Sequence, residues 1–387
     1  MAGHRVEGTI IVGAGQAGLA TAFALRARGL ECQVLESANS PGEAWRRRWD
    51  SLRLFTPAQY CSLPSLAFPA AKGSFPTKDQ VADYLSSYAA RLPVTTGVSV
   101  CGVAKSGIAA SGLVPSGEQA DGTGFKLDTS AGEFTARHVV IATGASKISF
   151  VPDLAERLSP SIHQLHSSDY KNPGQLPTGS VLVVGAGTSG LEIALELARD
   201  RQVWLAGRAP FHIPDPVLKH AGGAYWHFIN KVLTRRTPLG RKIARDFTAQ
   251  GAPLISVSLA DVEQAGVRHL PRLEDVDDAG RPAFADGLAL DVSTVVWATG
   301  YRPDYGWISG VPSGGLPGRD IPVDSRGWPV TVRGEVPEVP GLFFVGLPFQ
   351  FGLTSTLLGG VGRDAAHIAG RIALRDGQRS AATTAAS

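Results

Sequence analysis

Cysteine is scarce in this chain: three residues, Cys32, Cys61 and Cys101, in 387. No two of them form a C-x-x-C, which excludes a thioredoxin-like dithiol, and three are too few for a disulfide scaffold or a cysteine-rich zinc site. Long apolar runs are missing too. No stretch approaches the length of a membrane-spanning helix, so no span is expected. The opening segment lacks an apolar core ahead of a cleavage site and reads as a first strand rather than a signal peptide, which points to the cytosol. Charge is thin and balanced, with 18% charged residues and 37 Lys+Arg against 34 Asp+Glu. A net +3 spread over this length predicts no nucleic-acid partner. Neither G-x-S-x-G nor H-E-x-x-H occurs, and no His/Asp/Glu cluster has ligand spacing, so neither a nucleophilic triad nor a metal site is expected. What the chain has in abundance is glycine, 46 residues, without the three-residue period of collagen. Such a load suits tight turns and close approach of backbone to ligand. The length predicts two or three domains, and 43% hydrophobic residues supply their cores.

Residues 9–12 are apolar and β-branched, and they run into Gly13-Ala14-Gly15-Gln16-Ala17-Gly18. An apolar helix is predicted over 19–28, closed by Gly29, and a second strand over 31–35 ends at Glu36. Strand, glycine turn, helix and strand make the opening of a dinucleotide-binding unit. Gly13 permits the turn, Gly15 lets the backbone meet a pyrophosphate, and Gly18 lets helix and sheet pack closely. The helix N-terminus offers unpaired N–H groups to the phosphates. Glu36, just past the second strand, stands where a carboxylate can hold a ribose hydroxyl.

The arrangement recurs. A strand over 180–184 leads into Gly185-Ala186-Gly187-Thr188-Ser189-Gly190, a helix over 191–199 and a strand over 202–205. Arg208 stands at the same offset from Gly185 as Glu36 does from Gly13, a base instead of an acid. A guanidinium grips a 2′-phosphate that a carboxylate would repel, so the second site should take NADPH in preference to NADH. Arg201 is a second candidate for that role. Each turn is followed by a strand ending in Ala-Thr-Gly, at Ala142-Thr143-Gly144 and Ala298-Thr299-Gly300, an internal duplication at domain scale. Two dinucleotides are implied, FAD on the first unit and a nicotinamide on the second. The predicted fold is α/β, with two Rossmann-like dinucleotide-binding domains (three-layer ββα type), the second inserted into the first. The expected division is 1–169 for the first part of the FAD domain, 170–293 for the inserted NADPH domain, 294–373 for the second part of the FAD domain, and 374–387 for a disordered tail. Pro/Gly-rich segments at 171–179 and around 301–320 suit the two crossings. An aromatic helix over 224–233, with Tyr225, Trp226, Phe228 and Ile229, is expected beside a substrate entrance, and RRTPLGRK at 235–242 is locally basic.

These pieces resemble the flavin-containing monooxygenases, specifically the bacterial CzcO-like group of class B flavoprotein monooxygenases. The resemblance covers about residues 8–373. It rests on GAGQAG at 13–18, WRRRWDSLRLFTP at 45–57, FPTKDQVADYL at 75–85, LHSSDYKNP at 165–173, GAGTSG at 185–190, ATGYRPD at 298–304, and GLPFQ and GGVGRDA near the end. The family signature F-x-G-x-x-x-H-x-x-x-(Y/F/W) is kept only at His166 and Tyr170; Pro160 and Ile162 replace its Phe and Gly. Gly42-Glu43 stands where many relatives have Gly-Gly.

The resemblance implies an NADPH-dependent enzyme whose reduced FAD reacts with molecular oxygen to give a C4a-hydroperoxyflavin. That species oxygenates a nitrogen or sulfur atom of a small organic substrate. Oxygen insertion beside a ketone, as in Baeyer–Villiger enzymes, and an NADPH-dependent flavin oxidase or reductase are the alternatives; Tyr170, where Baeyer–Villiger relatives carry Trp, favours heteroatom oxidation. It further implies Trp45 and Arg46 beside FAD, Thr56 and Gln59 facing the ring, Gln350 on its pyrimidine edge, and the helix turn near Thr354 aimed at the flavin. Thr56, His166, Tyr170 and Gln350 are the catalytic candidates, with His166 read as conformational rather than as an acid–base group. A homo-oligomer is compatible with the sequence.

Overall fold

The computed structural model describes residues 4–5, 8–106, 124–145, 148–250, 252–309 and 321–386. Along the chain, β1 (His4–Arg5) and β2 (Thr9–Val12) lead to α1 (Gln16–Arg26), β3 (Cys32–Leu35), α2 (Glu43–Arg46), α3 (Lys78–Ala89) and β4 (Val94–Thr95). Four strands follow: β5 (Val100–Ser106), β6 (Gly124–Thr129), β7 (Gly132–Ala136) and β8 (His138–Ile141). After β9 (Ile148–Ser149) come β10 (His163–His166), β11 (Val181–Val184), α4 (Thr188–Leu197), β12 (Val203–Ala206), α5 (Asp215–Lys231), α6 (Pro238–Gln250), α7 (Leu259–Gln264) and β13 (Arg268–Leu270). The chain ends with β14 (Asp275–Val276), β15 (Pro282–Ala283), β16 (Thr294–Trp297), β17 (Tyr301–Arg302), β18 (Ile308–Ser309), β19 (Leu342–Phe344) and α8 (Leu358–Ala386).

Two parallel five-stranded sheets organise the molecule. The first has the order β19-β8-β2-β3-β4 and the second β10-β16-β11-β12-β13. Their central strands, TIIV at β2 and VLVV at β11, are buried along their whole length. Strands covered on both faces are expected to read as unbroken apolar runs rather than alternating ones. In the first unit α8 returns to pack on α1, with Leu19, Leu25, Val361, Ile368 and Ile372 fully buried between sheet and helices. Each such side chain contributes about 1.5–3 kcal/mol of burial. Gly346 passes so close to Ala17 that an added Cβ would lie 2.9 Å from its methyl group. A third, mixed sheet, β1-β7-β6-β5-β18, caps the other face through Val103, Phe125, Leu127 and Phe344.

The crossings differ from the expected ones. β10 and β16 pair side by side in the second sheet, His163 opposite Thr294 through His166 opposite Trp297. The second unit therefore takes in residues 163–166 and 294–297, which were expected in the first. The two linkers are β9 and β17, which pair antiparallel, Tyr301 with Ser149 and Arg302 with Ile148. Segment 171–179 is internal to the second unit, and 310–320 lies outside the described residues. Ile162, in the signature's glycine position, is buried in the apolar cluster of Leu182, Trp204 and Trp297. The expected unstructured tail also differs, because α8 continues as far as Ala386.

Candidate active site

The two glycine turns are built bond for bond alike. Gly13 N–H donates to Leu35 O and Gly185 N–H to Ala206 O, both at 2.8 Å. Both glycines adopt positive φ, 104° and 111°. An added Cβ at Gly13 would come within 2.8 Å of Ala142 O, and one at Gly185 would press still closer on Ala298 O. Gly18 and Gly190 lie against the carbonyls of Gly13 and Gly185, where a Cβ would collide outright. At Gly15 and Gly187, by contrast, nothing lies within 4 Å of an added Cβ. These two residues are the extended N-caps of α1 and α4, and no side chain caps either helix. Each helix therefore presents free first-turn N–H groups to an open cradle, the requirement for holding a diphosphate. Gln16, Ala17, Thr188 and Ser189 form those first turns. Thr143-Gly144 and Thr299-Gly300 border the cradles, with open space over both glycines. FAD and NADPH fit these residues.

The charged residues beyond the second strands differ in sign, as expected. Glu36 accepts from Ala14 N–H at 2.6 Å and Ala38 N–H at 2.8 Å, which fixes its carboxylate beside the first turn. Arg208 is exposed just beyond β12, and the preceding Gly207 packs against Gly185 and Ala186. Arg201 lies at the opposite end of that strand. It pairs with Asp200 and donates to the carbonyls of Pro173 and Pro177, so it is not available for a nucleotide phosphate.

A cavity of about 260 Å³ lies where three segments meet. Its walls are Thr56, Gln59, Tyr60 and Ser62, then Trp226 and Asn230 from α5, and Thr354, Leu357, Gly359 and Gly360 at the head of α8. Tyr60 and Trp226 stack with ring centroids 5.5 Å apart. Gly359 and Gly360 pack directly on the carbonyls of Tyr60 and Thr354, leaving no clearance for a Cβ. Gln16 ties the first turn to this wall, donating to Thr356 O at 2.9 Å and accepting from the Trp45 indole at 3.3 Å. The aromatic helix thus borders a cavity, together with Thr56, Gln59 and Thr354.

Other expected site residues are engaged elsewhere. Arg46 pairs with Asp83 at 2.5 Å and Asp79 at 3.8 Å on α3. The Gln350 amide braces its own loop: Oε1 accepts from Leu347 N–H, and Nε2 donates to Phe344 O at 2.9 Å and Arg333 O at 3.3 Å. It has no amide group left for a flavin edge. Tyr170 is fully buried in the core of the second unit, and its hydroxyl donates to Glu196 Oε2 at 2.7 Å. Burial first, and then this carboxylate, push the phenol's pKa upward, so Tyr170 is a core residue without access to the cavity. His166 is buried as well. Ser168 N–H donates to its Nδ1 at 3.1 Å, so the proton sits on Nε2, which donates to Gly300 O at 3.0 Å. Burial lowers its pKa and keeps the ring neutral. His166 therefore fixes the Ala-Thr-Gly end of β16.

Sequence reasoning did not single out Asn230, Tyr60, Ser62 or Leu357. Tyr60 and Ser62 sit beside Thr56 and Gln59, and Asn230 sits in the aromatic helix, but these segments and Leu357 lie far apart in the chain and no spacing links the three.

Two dinucleotide cradles of one design, with a separate cavity beside the first, are the parts of an oxidoreductase of the two-nucleotide flavoprotein type. A sequence profile described as "Pyridine nucleotide-disulphide oxidoreductase" matches residues 10–212. The disulphide chemistry in that description has no paired cysteines here; all three thiols are free, and burial pushes that of Cys61 up to about 12. The chain is 36% identical over 372 residues to an "Uncharacterized oxidoreductase CzcO-like" of Geobacillus kaustophilus, covering 94% of this chain and 97% of that one. It is 29% identical over 326 residues to the "Indole-3-pyruvate monooxygenase YUCCA1" of Oryza sativa, covering 77% of each. A "Flavin-containing monooxygenase from Stenotrophomonas maltophilia" superposes with a TM-score of 0.71 at 25% identity, over 96% of this chain and 99% of that one. The chain belongs to the CzcO-like oxidoreductases of the flavin-containing monooxygenase family. It is a flavin-dependent oxidoreductase of the monooxygenase type. Among the described residues no helix is long and apolar enough to cross a membrane.

Proposed function

We propose that this protein is an FAD-dependent, NADPH-using monooxygenase. It places one atom of molecular oxygen on a nitrogen or sulfur atom of a small organic molecule and releases the other as water. NADPH, a proton, oxygen and substrate give NADP⁺, water and the oxygenated product. The observation that carries the reading is the cavity, walled by the Thr56–Ser62 segment and the head of α8 from the first unit and by α5 from the inserted segment, and tied to the first turn through Gln16. Gly13, Gly15, Gly18 and the α1 N-terminus would hold FAD, with Glu36 toward its ribose. Gly185, Gly187, Gly190 and the α4 N-terminus would hold NADPH, with Arg208 toward its 2′-phosphate. FAD supplies the redox and oxygen chemistry that these side chains lack.

The protein's own part is binding, orientation and exclusion of water. The Tyr60–Trp226 stack and Leu357 give the cavity an apolar wall. Thr56, buried at the cavity edge, supplies a hydroxyl. His166, neutral and bonded through both ring nitrogens, holds Gly300 and transfers no proton.

The test is stoichiometric. With thioanisole or a tertiary amine as substrate, sulfoxide or N-oxide should form in proportion to NADPH consumed. Hydrogen peroxide in place of product would identify an oxidase, and lactone or ester formation from a ketone a Baeyer–Villiger enzyme; either result overturns the reading.

A further inference from the structure

Asn230 and the groups behind it carry an inference about what the cavity selects. Arg363, on α8, donates through Nη1 to Asn230 O and through Nη2 to Thr354 Oγ1 at 2.8 Å. The Thr354 oxygen accepts that guanidinium proton, and its own O–H donates to Asn230 Oδ1 at 3.0 Å. An amide oxygen can only accept and a guanidinium can only donate, so between Arg363 and Asn230 Oδ1 the Thr354 hydroxyl accepts from the first and donates to the second. With Oδ1 engaged, the Asn230 amide has its Nδ2 group left over, and Asn230 lines the cavity.

Charge behind the chain has the same sign. Arg236, Arg333 and Arg363 gather around the Phe351 ring, with their guanidinium carbons 5.3, 5.0 and 4.8 Å from its centroid. The buried acid beside them is Asp364, whose Oδ2 has no hydrogen-bond partner. The Nε groups of Arg333 and Arg363 are buried and unpartnered as well. One carboxylate does not balance three guanidiniums; Arg236 is exposed and screened by solvent, whereas Arg333 and Arg363 are half-buried and screened less.

We propose that Asn230 is a specificity-determining residue that presents an N–H donor to the substrate, positioned by Arg363 through Thr354, and that the cavity selects substrates whose soft sulfur or nitrogen lies near an oxygen acceptor, a carboxylate above all. The proposal rests on the cavity being the oxygenation site. A donor fixed by a charged relay rejects a ligand that itself offers only N–H groups, because two donors would face each other without an acceptor.

The test uses three probes with one aromatic sulfide body: (phenylthio)acetate, (phenylthio)acetamide and 2-(phenylthio)ethylamine. Each is titrated calorimetrically into the FAD-loaded protein without NADPH. The acetate should bind about tenfold or more tighter than the amine, with the amide between them, as expected for one charge-assisted hydrogen bond. Asn230→Asp replaces the donor with an acceptor of the same shape and should invert the order. Thr354→Val removes the relay and should reduce the acetate-to-amine ratio to within about threefold, since the amide can then turn over. FAD content and melting temperature establish that each variant is folded. Equal binding of the three probes, no binding of any, or an unchanged order in Asn230→Asp overturns the proposal. Flavin reduction by NADPH and product stoichiometry in the unsubstituted protein are measured separately, so the monooxygenase reading stands or falls on its own.

Discussion

Replacing Arg208 by Ala asks how the second cradle chooses its nucleotide. Arg208 is exposed, follows β12 directly, and adjoins the Gly185 turn through Gly207. A charge-assisted hydrogen bond to a phosphate contributes about 1.5–3 kcal/mol. Water and salt compete at an exposed guanidinium, so the lower part of that range applies, about 1.5–2 kcal/mol. Affinity for NADPH should fall roughly 10–30-fold and affinity for NADH by less than about twofold. Arg208→Lys keeps the charge and loses the planar fork, so it should fall between wild type and Ala. The assay is rapid mixing under anaerobic conditions, following loss of the oxidised flavin band against nucleotide concentration. The dissociation constant then comes from the saturation curve and not from turnover. Raising the salt concentration should shrink the NADPH preference of the wild type and leave the Ala variant almost unmoved. Equal loss for both nucleotides, or no loss for either, refutes the assignment of Arg208.

Gly185→Ala drives a methyl group into Ala298 O at a φ of 111°. It should abolish NADPH-driven reduction, by more than about 100-fold, while the yellow colour of bound FAD persists. Tyr170→Phe removes the hydroxyl bonded to Glu196 and should cost about 1–2 kcal/mol in denaturant unfolding, with kcat/KM within about twofold of wild type. Burial raises Glu192 from 4.5 to about 7, so its contribution to stability is present below its ordinary value and is lost as pH rises through about 7. Glu192→Gln, which keeps an acceptor for Ser256, should therefore raise the melting temperature on the alkaline side, and the gain should shrink as pH falls through about 7. His166, lowered by burial, acts in the opposite sense. Its stabilisation is complete above the usual histidine value and drains away on acidification below it, so His166→Asn should flatten the acid side of the stability profile.

The two nucleotide units were legible because their signals are local. A buried parallel strand, a glycine turn and a helix start are written in one short unbroken stretch, and the tight packing at Gly13, Gly18, Gly185 and Gly190 follows directly from that spacing. The crossings were not legible, because the pairing of β10 with β16 joins segments on either side of the whole second unit and leaves no periodicity behind. The helical continuation of α8 was missed for another reason. The stretch after Gly377 was read for its small polar residues, whereas its alanines are the best of helix formers. Residue type misled at Arg46, Tyr170 and Gln350. A polar side chain beside a family motif looks available for a ligand, yet each of these three has a protein partner supplied by a distant or neighbouring segment. Asn230 shows the converse. Its importance lies in the company of Thr354 and Arg363, far along the chain, and nothing in the stretch around it announces that.

The head of α8 meets the cavity as bare main chain. Gly359 and Gly360 have no room for even a methyl group against Tyr60 O and Thr354 O, and Gly362 is tightly placed against Pro64. That wall cannot be resculpted one residue at a time, since any new side chain there pushes the helix away instead of narrowing the chamber. Variation in ligand size, whether by divergence or by engineering, has to enter through the side chains on the remaining sides, Tyr60 and Trp226 the largest of them, or through Leu357 just ahead of the glycines.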